Sequence, residues 1–401
     1  MTSVETPSAA KRRIAIFEPH IFDVMSGNQR HVEAMLKLFN RAVAEPILLT
    51  PRQTAYGDGL VALGIRVAVL PAPGILKKFG SDISETGLAG RLKIALALLA
   101  YWPSVFFWLW RNRITVVECN STRGVLMAGP PAKLLRLPLV FYVKGHLETP
   151  LPDRIALKLA DRVLFHGTRI RDRTYPELMA KIAHKVQILP NGIDLREVDA
   201  VLADRVAQEA LRTEIGAGRD AANFATAGQI SERRGQDRLI RAVSELQRRG
   251  VACRLFIIGD YVTDEFLPYY NHCRALVEEL GVRDVFFMGY RRDAVAIMSV
   301  MDITVLPSRD EGVPKTILEG MALGKAVIVT DVGSVRDAVS DQEGIIIPAD
   351  QPQALVDAME KLANDHALRK ILGEGGRRRA LAEFDIVRNI RGLEEIVLAL
   401  K

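Results

Sequence analysis

Two glutamates, Glu311 and Glu319, stand eight positions apart in the stretch SRDEGVPKTILEGMALGKAVIVT. The apolar run Ile303–Leu306 before them reads as a strand that ends at Pro307, and Pro314 suits the first turn of a helix. Glu311 then lies in the loop at a strand's carboxyl end, with Glu319 a turn or so inside the helix. A carboxylate near a helix start is often a capping device worth about 0.3–1 kcal/mol. Capping accounts for Glu311 but leaves Glu319 without a task. A second chemistry accounts for both: one carboxylate at a reaction centre, the other accepting from the paired hydroxyls of a nucleotide's ribose. Between them, Gly312, Val313, Lys315 and Thr316 can turn backbone N–H groups at the positive helix end towards an anion.

Two further loops have the composition for such a ligand. GQISERRG, residues 228–235, follows a strand and carries Arg233 and Arg234 between glycines. Guanidinium groups there can clamp a diphosphate through paired hydrogen bonds, although a solvated charged turn has the same composition. EPHIFDVMSGN, residues 18–28, joins the first strand to the first helix, and Ser26, Gly27 and Asn28 open that helix with small residues. No G-x-G-x-x-G occurs there, so the loop lacks a dinucleotide fingerprint and a dehydrogenase is excluded.

These loops need a scaffold that places them together. Short apolar runs such as Arg13–Phe17, Leu139–Val143, Arg162–Phe165, Phe224–Ala227, Arg254–Ile258 and Ala326–Val329 alternate with helical patterns along the chain. Continuous apolar strands between helices predict parallel sheets covered on both faces. The pattern pauses after Asn191-Gly192, where residues 195–218 are charged and helical, and then restarts. At 401 residues the chain exceeds what one core fills. The expectation is two Rossmann-like, doubly wound α/β domains: residues 11–195, and residues 196–384 with the donor loops. They would face across a cleft at the carboxyl ends of their strands, where such folds bind ligands. Residues 388–401 read as an amphipathic helix.

With those elements in place, the sequence resembles the retaining sugar-nucleotide glycosyltransferases of family 4, which have the GT-B fold. The resemblance rests on the E-x7-E of Glu311 and Glu319 within EGVPKTILEGMALGKAVIVTDVGSVRD, on ILPNGID, on SGNQRHVEAM and on the glycine spacing from Gly228 to Leu239. It covers nearly the whole chain and is strongest over about residues 185–350. It implies that Glu311 faces the donor sugar and Glu319 the ribose. The amides of Val313, Lys315 and Thr316, beside Gly312 and Pro314, would hold sugar hydroxyls and phosphates. Gly27 and Asn28 would approach the diphosphate, and Tyr290 and Arg291 would lie beside the base. Residues 385–401 would form a helix returning to the N-terminal domain.

The chain departs from the family pattern in two places. Gln229 stands where the family has Arg, with Arg234 in place of the usual Lys, so one of two cations is lost unless Arg233 substitutes. After PLVFYV the chain reads Lys144-Gly145-His146 where the family has a histidine, and either Lys144 or His146 can take that role. The implied reaction moves a sugar from a nucleotide-diphosphate donor to a glycan or lipid-linked acceptor, with retained configuration and neither metal nor other cofactor. An epimerase or a non-catalytic sugar-nucleotide binder on the same fold are the alternatives.

Composition narrows the setting. Net charge is +6, which spread over this length argues against nucleic acid and for small anions or an anionic membrane surface. Three scattered cysteines fit a reducing, cytoplasmic compartment, and the polar start MTSVETPSAAKRR has no signal-peptide pattern. Ile94–Trp110 is strongly apolar, flanked by Arg91, Lys93, Arg111 and Arg113, and broken by Pro103. It reads either as a buried helix pair or as a patch lying at the headgroup boundary of a membrane on which the protein sits peripherally.

Overall fold

Valine, isoleucine, leucine and phenylalanine dominate the short runs between glycine- and proline-containing turns, and each run becomes a parallel strand. The computed structural model describes residues 11–19, 27–77, 87–147 and 149–400. Within them the chain divides into two units. One takes the described residues up to His166, Arg171–Leu189 and those from Ile390 on; the other takes Gly167–Ile170 and Pro190–Asn389.

The first unit is built on a seven-stranded sheet: β1 (Arg12–Phe17), β2 (Ala44–Thr50), β3 (Val67–Val69), β4 (Val116–Cys119), β5 (Leu139–Val143), β6 (Arg162–Phe165) and β7 (Val186–Ile188). Their order is β3-β2-β1-β4-β5-β6-β7, all parallel. Connections therefore run outward in opposite directions from β1 and from β4, which makes the β1/β4 edge the switch point. The central strands are buried on both faces, with Ile14, Ile16, Phe17, Val117, Phe141 and Phe165 inside. Helix α1 (Gly27–Leu38) follows β1. Chain end and start meet in this unit: Arg12 donates to the Val397 carbonyl at 3.3 Å, and the Asn40 amide donates to Glu394 at 2.7 Å.

Helix α2 (Leu88–Arg111) corrects one expectation. Pro103 does not break the apolar segment, which forms a single 24-residue helix and not a buried pair. Proline removes one backbone donor and crowds the preceding turn. Here it lies on the exposed side, where the released carbonyl is open to water. Tyr101, Val105 and Leu109 face the protein, while Leu92, Leu96, Leu99, Phe107 and Trp110 are exposed.

The second unit has a six-stranded parallel sheet of β8 (Ala222–Ala227), β9 (Cys253–Ile258), β10 (Val285–Gly289), β11 (Ile303–Leu306), β12 (Ala326–Thr330) and β13 (Gly344–Ile347). Its order is β10-β9-β8-β11-β12-β13, which puts a switch point between β8 and β11. Alternation along each strand splits the core in two. Ala225, Phe256, Ile258, Leu306, Val327 and Val329 pack into one cluster. Their neighbours Phe224, Leu255, Ile257, Ile303, Val305 and Ile328 pack into the other. A sheet with both faces buried takes few polar residues along its length, so most polar chemistry is left to the loops at its ends.

Candidate active site

The switch point of the second sheet gathers the charged residues of its two loops. After β8, residues 232–234 make one short turn, and Gly235 closes it at φ +73°. A Cβ on Gly235 would stand 2.4 Å from the Pro307 carbonyl at the end of β11, so glycine is required for the two loops to touch. The Arg309 amide donates to the Arg233 carbonyl at 2.8 Å. Arg309 also pairs with Asp237 through two hydrogen bonds of 3.2 and 3.0 Å, and the Tyr269 hydroxyl donates to the same carboxylate.

Glu311 sits inside this junction, 5% exposed. Its Oε1 accepts from the Ser308 hydroxyl at 2.9 Å and lies 3.2 Å from Arg234 Nε; its Oε2 lies 3.2 Å from Arg233 Nη1. The carboxylate thus bridges the two arginines that the sequence offers as a diphosphate clamp. Burial pulls the Arg234 guanidinium below its ordinary range, while Glu311, and more weakly Glu319, oppose that pull. Arg234 Nη1 is buried without an acceptor among the described residues. A buried N–H with nothing to donate to costs about 1–3 kcal/mol, which an anionic ligand would recover.

Helix α3 (Lys315–Ala322) starts one step further on, with Pro314 as its N-cap and no side chain capping it. The helix start is anchored to β8 by the Thr316 hydroxyl, which donates to the Ala227 carbonyl at 2.7 Å. Gly320 permits the close approach to β11, since a Cβ there would meet Thr304 Oγ1 at 2.7 Å. Glu319, on the second turn, is 9% exposed. Gly312, Val313 and Lys315 line the chain between the two glutamates, with Val313 packed into the core.

The remaining expected residues of the second unit follow the ends of β8 and β10. Gln229 uses its backbone carbonyl to accept from Gln236 at 3.1 Å. Tyr290 is exposed just past β10, and Arg291 is held by Asp293 in a bidentate pair at 2.7 Å. Three glycines weld the strand ends below this loop: Gly228 donates to Ile258, and Gly259 to Gly289, both at 2.8 Å. A Cβ on Gly259 would stand 1.9 Å from the Gly228 carbonyl.

In the first unit, Gly27 and Asn28 are the opening residues of α1, and Ser26 lies outside the described residues. Lys144 and His146 follow β5 and are half-buried. Burial pulls the Lys144 ammonium down to about 8, with Glu118 and Glu18 opposing. Neither carboxylate belongs to a sequence motif. Glu118 is one charge inside the apolar run ITVVEC, and that misfit is the signal that marks it.

Residues 207–379 match the family model described as glycosyl transferases group 1. The matched segment makes up less than half of the chain. It contains Arg233, Arg234, Glu311 and Glu319 together. Over 369 residues the chain is 28% identical to an alpha-D-kanosaminyltransferase of Streptomyces kanamyceticus, covering 84% of this chain and 88% of that protein. A D-inositol 3-phosphate glycosyltransferase of Salinispora arenicola is 28% identical over 220 residues, 53% of this chain and 49% of the relative. A lipopolysaccharide core biosynthesis mannosyltransferase of Rhizobium meliloti is 27% identical over 176 residues, 42% of this chain and 49% of the relative. The chain thus spans about half the length of these last two proteins.

Among solved structures, a glycosyltransferase from Rickettsia africae superposes with a TM-score of 0.80 at 15% identity, covering 98% of this chain and all of that one. The Anabaena HepE protein in complex with UDP-glucose gives 0.77 at 17% identity, covering 97% of this chain and 100% of that one. These likenesses establish the fold, GT-B, with its two parallel-sheet α/β units.

Proposed function

We propose that this protein is a retaining glycosyltransferase of family 4 type that transfers a sugar from a nucleotide-diphosphate donor to a glycan or lipid-linked acceptor in bacterial envelope assembly. The observation that carries the reading is the buried Glu311, bridging Arg233 and Arg234 at the switch point of the second sheet, one loop away from an uncapped helix start that bears Glu319. The diphosphate would lie against Arg234 Nη1 and the α3 amides, and the ribose diol against Glu319. The names of the mannosyltransferase and kanosaminyltransferase relatives support sugar transfer, and the complex of the Anabaena protein supports a nucleotide sugar as donor.

In this reaction the bond from the anomeric carbon to the β-phosphate oxygen breaks. The acceptor oxygen bonds to the same face of that carbon, and its proton passes to the departing phosphate. Guanidinium and helix-end N–H groups stabilise the charge that develops on the leaving group, a role that requires no metal. Glu311 stabilises positive charge on the sugar without bonding to it.

A thermal-shift screen of UDP-, GDP- and ADP-sugars tests the donor half. One series stabilises the wild type, and Glu319→Gln lowers its affinity roughly tenfold by losing a charge-assisted hydrogen bond. Indifference of the wild type to all three series would end the proposal.

The acceptor side includes a lipid surface. The exposed residues of α2, Leu92, Leu96, Leu99, Phe107 and Trp110, with exposed Pro103 between Leu99 and Phe107, recur at three- and four-residue steps along one face. The helix has no acidic residue, and Arg91, Lys93, Arg111 and Arg113 stand at its ends. Apolar side chains between basic ends suit the boundary of an anionic bilayer. Co-sedimentation with phosphatidylglycerol vesicles at low salt is expected, weakened at least tenfold in a Phe107→Ser, Trp110→Ser double variant, since each large apolar group contributes about 1.5–3 kcal/mol on burial. Wild-type protein that stays in the supernatant at low salt would refute membrane contact.

A further inference from the structure

The register of the first sheet sets a second group of polar side chains on one face. Ile16 pairs with Glu118, Glu118 with Val140, and Tyr142 with Leu164. Since side chains alternate along a strand, Glu18, Glu118, Asn120, Tyr142, Lys144 and His166 all project from the same side, at the carboxyl end of the sheet. Glu18 follows β1 and Glu118 is the penultimate residue of β4, so the two carboxyls flank the switch point, where doubly wound sheets bind ligands. His31 of α1 and His166 each present an edge to the Tyr142 ring at 5.2 Å, and Lys144 Nζ lies 5.2 Å from its centre. The Tyr142 hydroxyl is spent on the Leu189 carbonyl at 2.8 Å.

One oxygen of Glu118 and one of Asn120 are buried without a hydrogen-bond partner among the described residues. Glu118 is 1% exposed and Asn120 is 6% exposed. The Asn120 amide donates to Glu118 Oε2 at 3.1 Å. Glu118 Oε1 and Asn120 Oδ1 make no hydrogen bond among the described residues. Buried polar atoms are nearly always paired, so two neighbouring exceptions at a switch point suggest a ligand's place. Burial pushes the Glu118 carboxyl up to about 8, with Lys144 pulling the other way, and at neutral pH the group keeps its proton. The oxygen that accepts from Asn120 acts as the carbonyl, so Oε1 carries the proton and donates. Asn120 Oδ1 can only accept. One donor beside one acceptor matches an alcohol, which both accepts and donates.

We infer that Glu118 and Asn120 form a hydroxyl-reading subsite in the first unit, selecting the sugar acceptor by its alcohol groups. As an acceptor site the inference rests on the transferase reading; as a saccharide site it can be tested without that reading. The probes are methyl glycosides of glucose, galactose and mannose, followed by ligand-observed NMR on the full chain. At least one binds the wild type. Glu118→Ala and Asn120→Ala each weaken it tenfold or more, whereas Glu118→Gln, whose amide keeps both the carbonyl and a donor, retains binding within about threefold, the factors being ratios of dissociation constants. Nucleoside-diphosphate affinity, measured on every variant, reports whether the second unit remains folded. Should Glu118→Ala fail to fold, the Asn120→Ala and Glu118→Gln pair still decides the matter. Equal glycoside binding in all variants, or none by the wild type, overturns the inference. A wild type that binds glycosides but no sugar nucleotide would instead count against the transferase reading.

Discussion

Glu311→Gln is expected to fold, to bind nucleoside diphosphate, and to turn over donor at least a hundredfold more slowly than the wild type. The substitution keeps the shape of the side chain and an oxygen for the Ser308 hydroxyl, which donates at 2.9 Å. It removes the charge that faces Arg233 and Arg234 at 3.2 Å, and it turns an N–H₂ towards one of those guanidiniums. In the free protein this leaves Arg234 with less compensation for its burial, a cost borne by stability. With donor bound, the phosphates supply the missing negative charge, so ground-state binding changes little. The loss appears at the transition state, where the anomeric carbon becomes positive and the carboxylate is no longer beside it. Removing one such preorganised electrostatic partner costs about 2.7–4 kcal/mol, or roughly two to three decades in rate. Steady-state kinetics alongside calorimetric titration of the nucleoside diphosphate separates the two effects. Turnover within threefold of the wild type would remove Glu311 from the chemistry.

How much of this was legible beforehand differs between fold and site. The parallel strands were readable because a strand buried on both faces must be apolar throughout, and Leu139–Val143 or Ile303–Leu306 can be little else. Glu311 and Glu319 were readable because their spacing across a strand-loop-helix step is local. Of the two readings of the α2 segment, the buried pair fails, since Pro103 breaks a helix only where the ring's neighbours cannot adjust, and exposure is not written in the sequence. Glu118 is not legible as a site residue because a single charge in a strand has meaning only once register sets it beside Asn120 and on the face of Lys144. Arg291, offered as a partner for the base, is paired with Asp293 two residues on, a contact that the chain itself makes available. Non-local contacts are the part that spacing cannot supply.

Gly333 shows the same limit in its strongest form, and it carries the largest stability effect expected in the molecule. Its φ is +52°, and a Cβ built there would stand 1.5 Å from the Glu311 carbonyl oxygen and 2.7 Å from the carbonyl carbon. Both obstacles are backbone, so no rotamer can relieve them. The Ser334 amide donates to that same carbonyl at 3.3 Å, and the Ser334 hydroxyl accepts from the Ile170 amide at 3.0 Å. Gly333→Ala must therefore either displace the loop that carries Glu311 or give up these contacts. Gly250→Ala is the matched control: its φ is +79°, but nothing lies within 4 Å of the added methyl. The control bears only the left-handed backbone penalty of about 1–2 kcal/mol. Gly333→Ala bears that penalty and the clash, for a total of roughly 4 kcal/mol or more. For a unit of this size, each kcal/mol lowers Tm by about 2–4 °C. Calorimetry is expected to show a drop of a few degrees for the control and on the order of 10 °C for Gly333→Ala, with nucleoside-diphosphate affinity lost in the latter alone. Equal Tm values for the two variants would mean that the loop yields to the methyl group, and that Glu311 is not held in place by the backbone of Gly333.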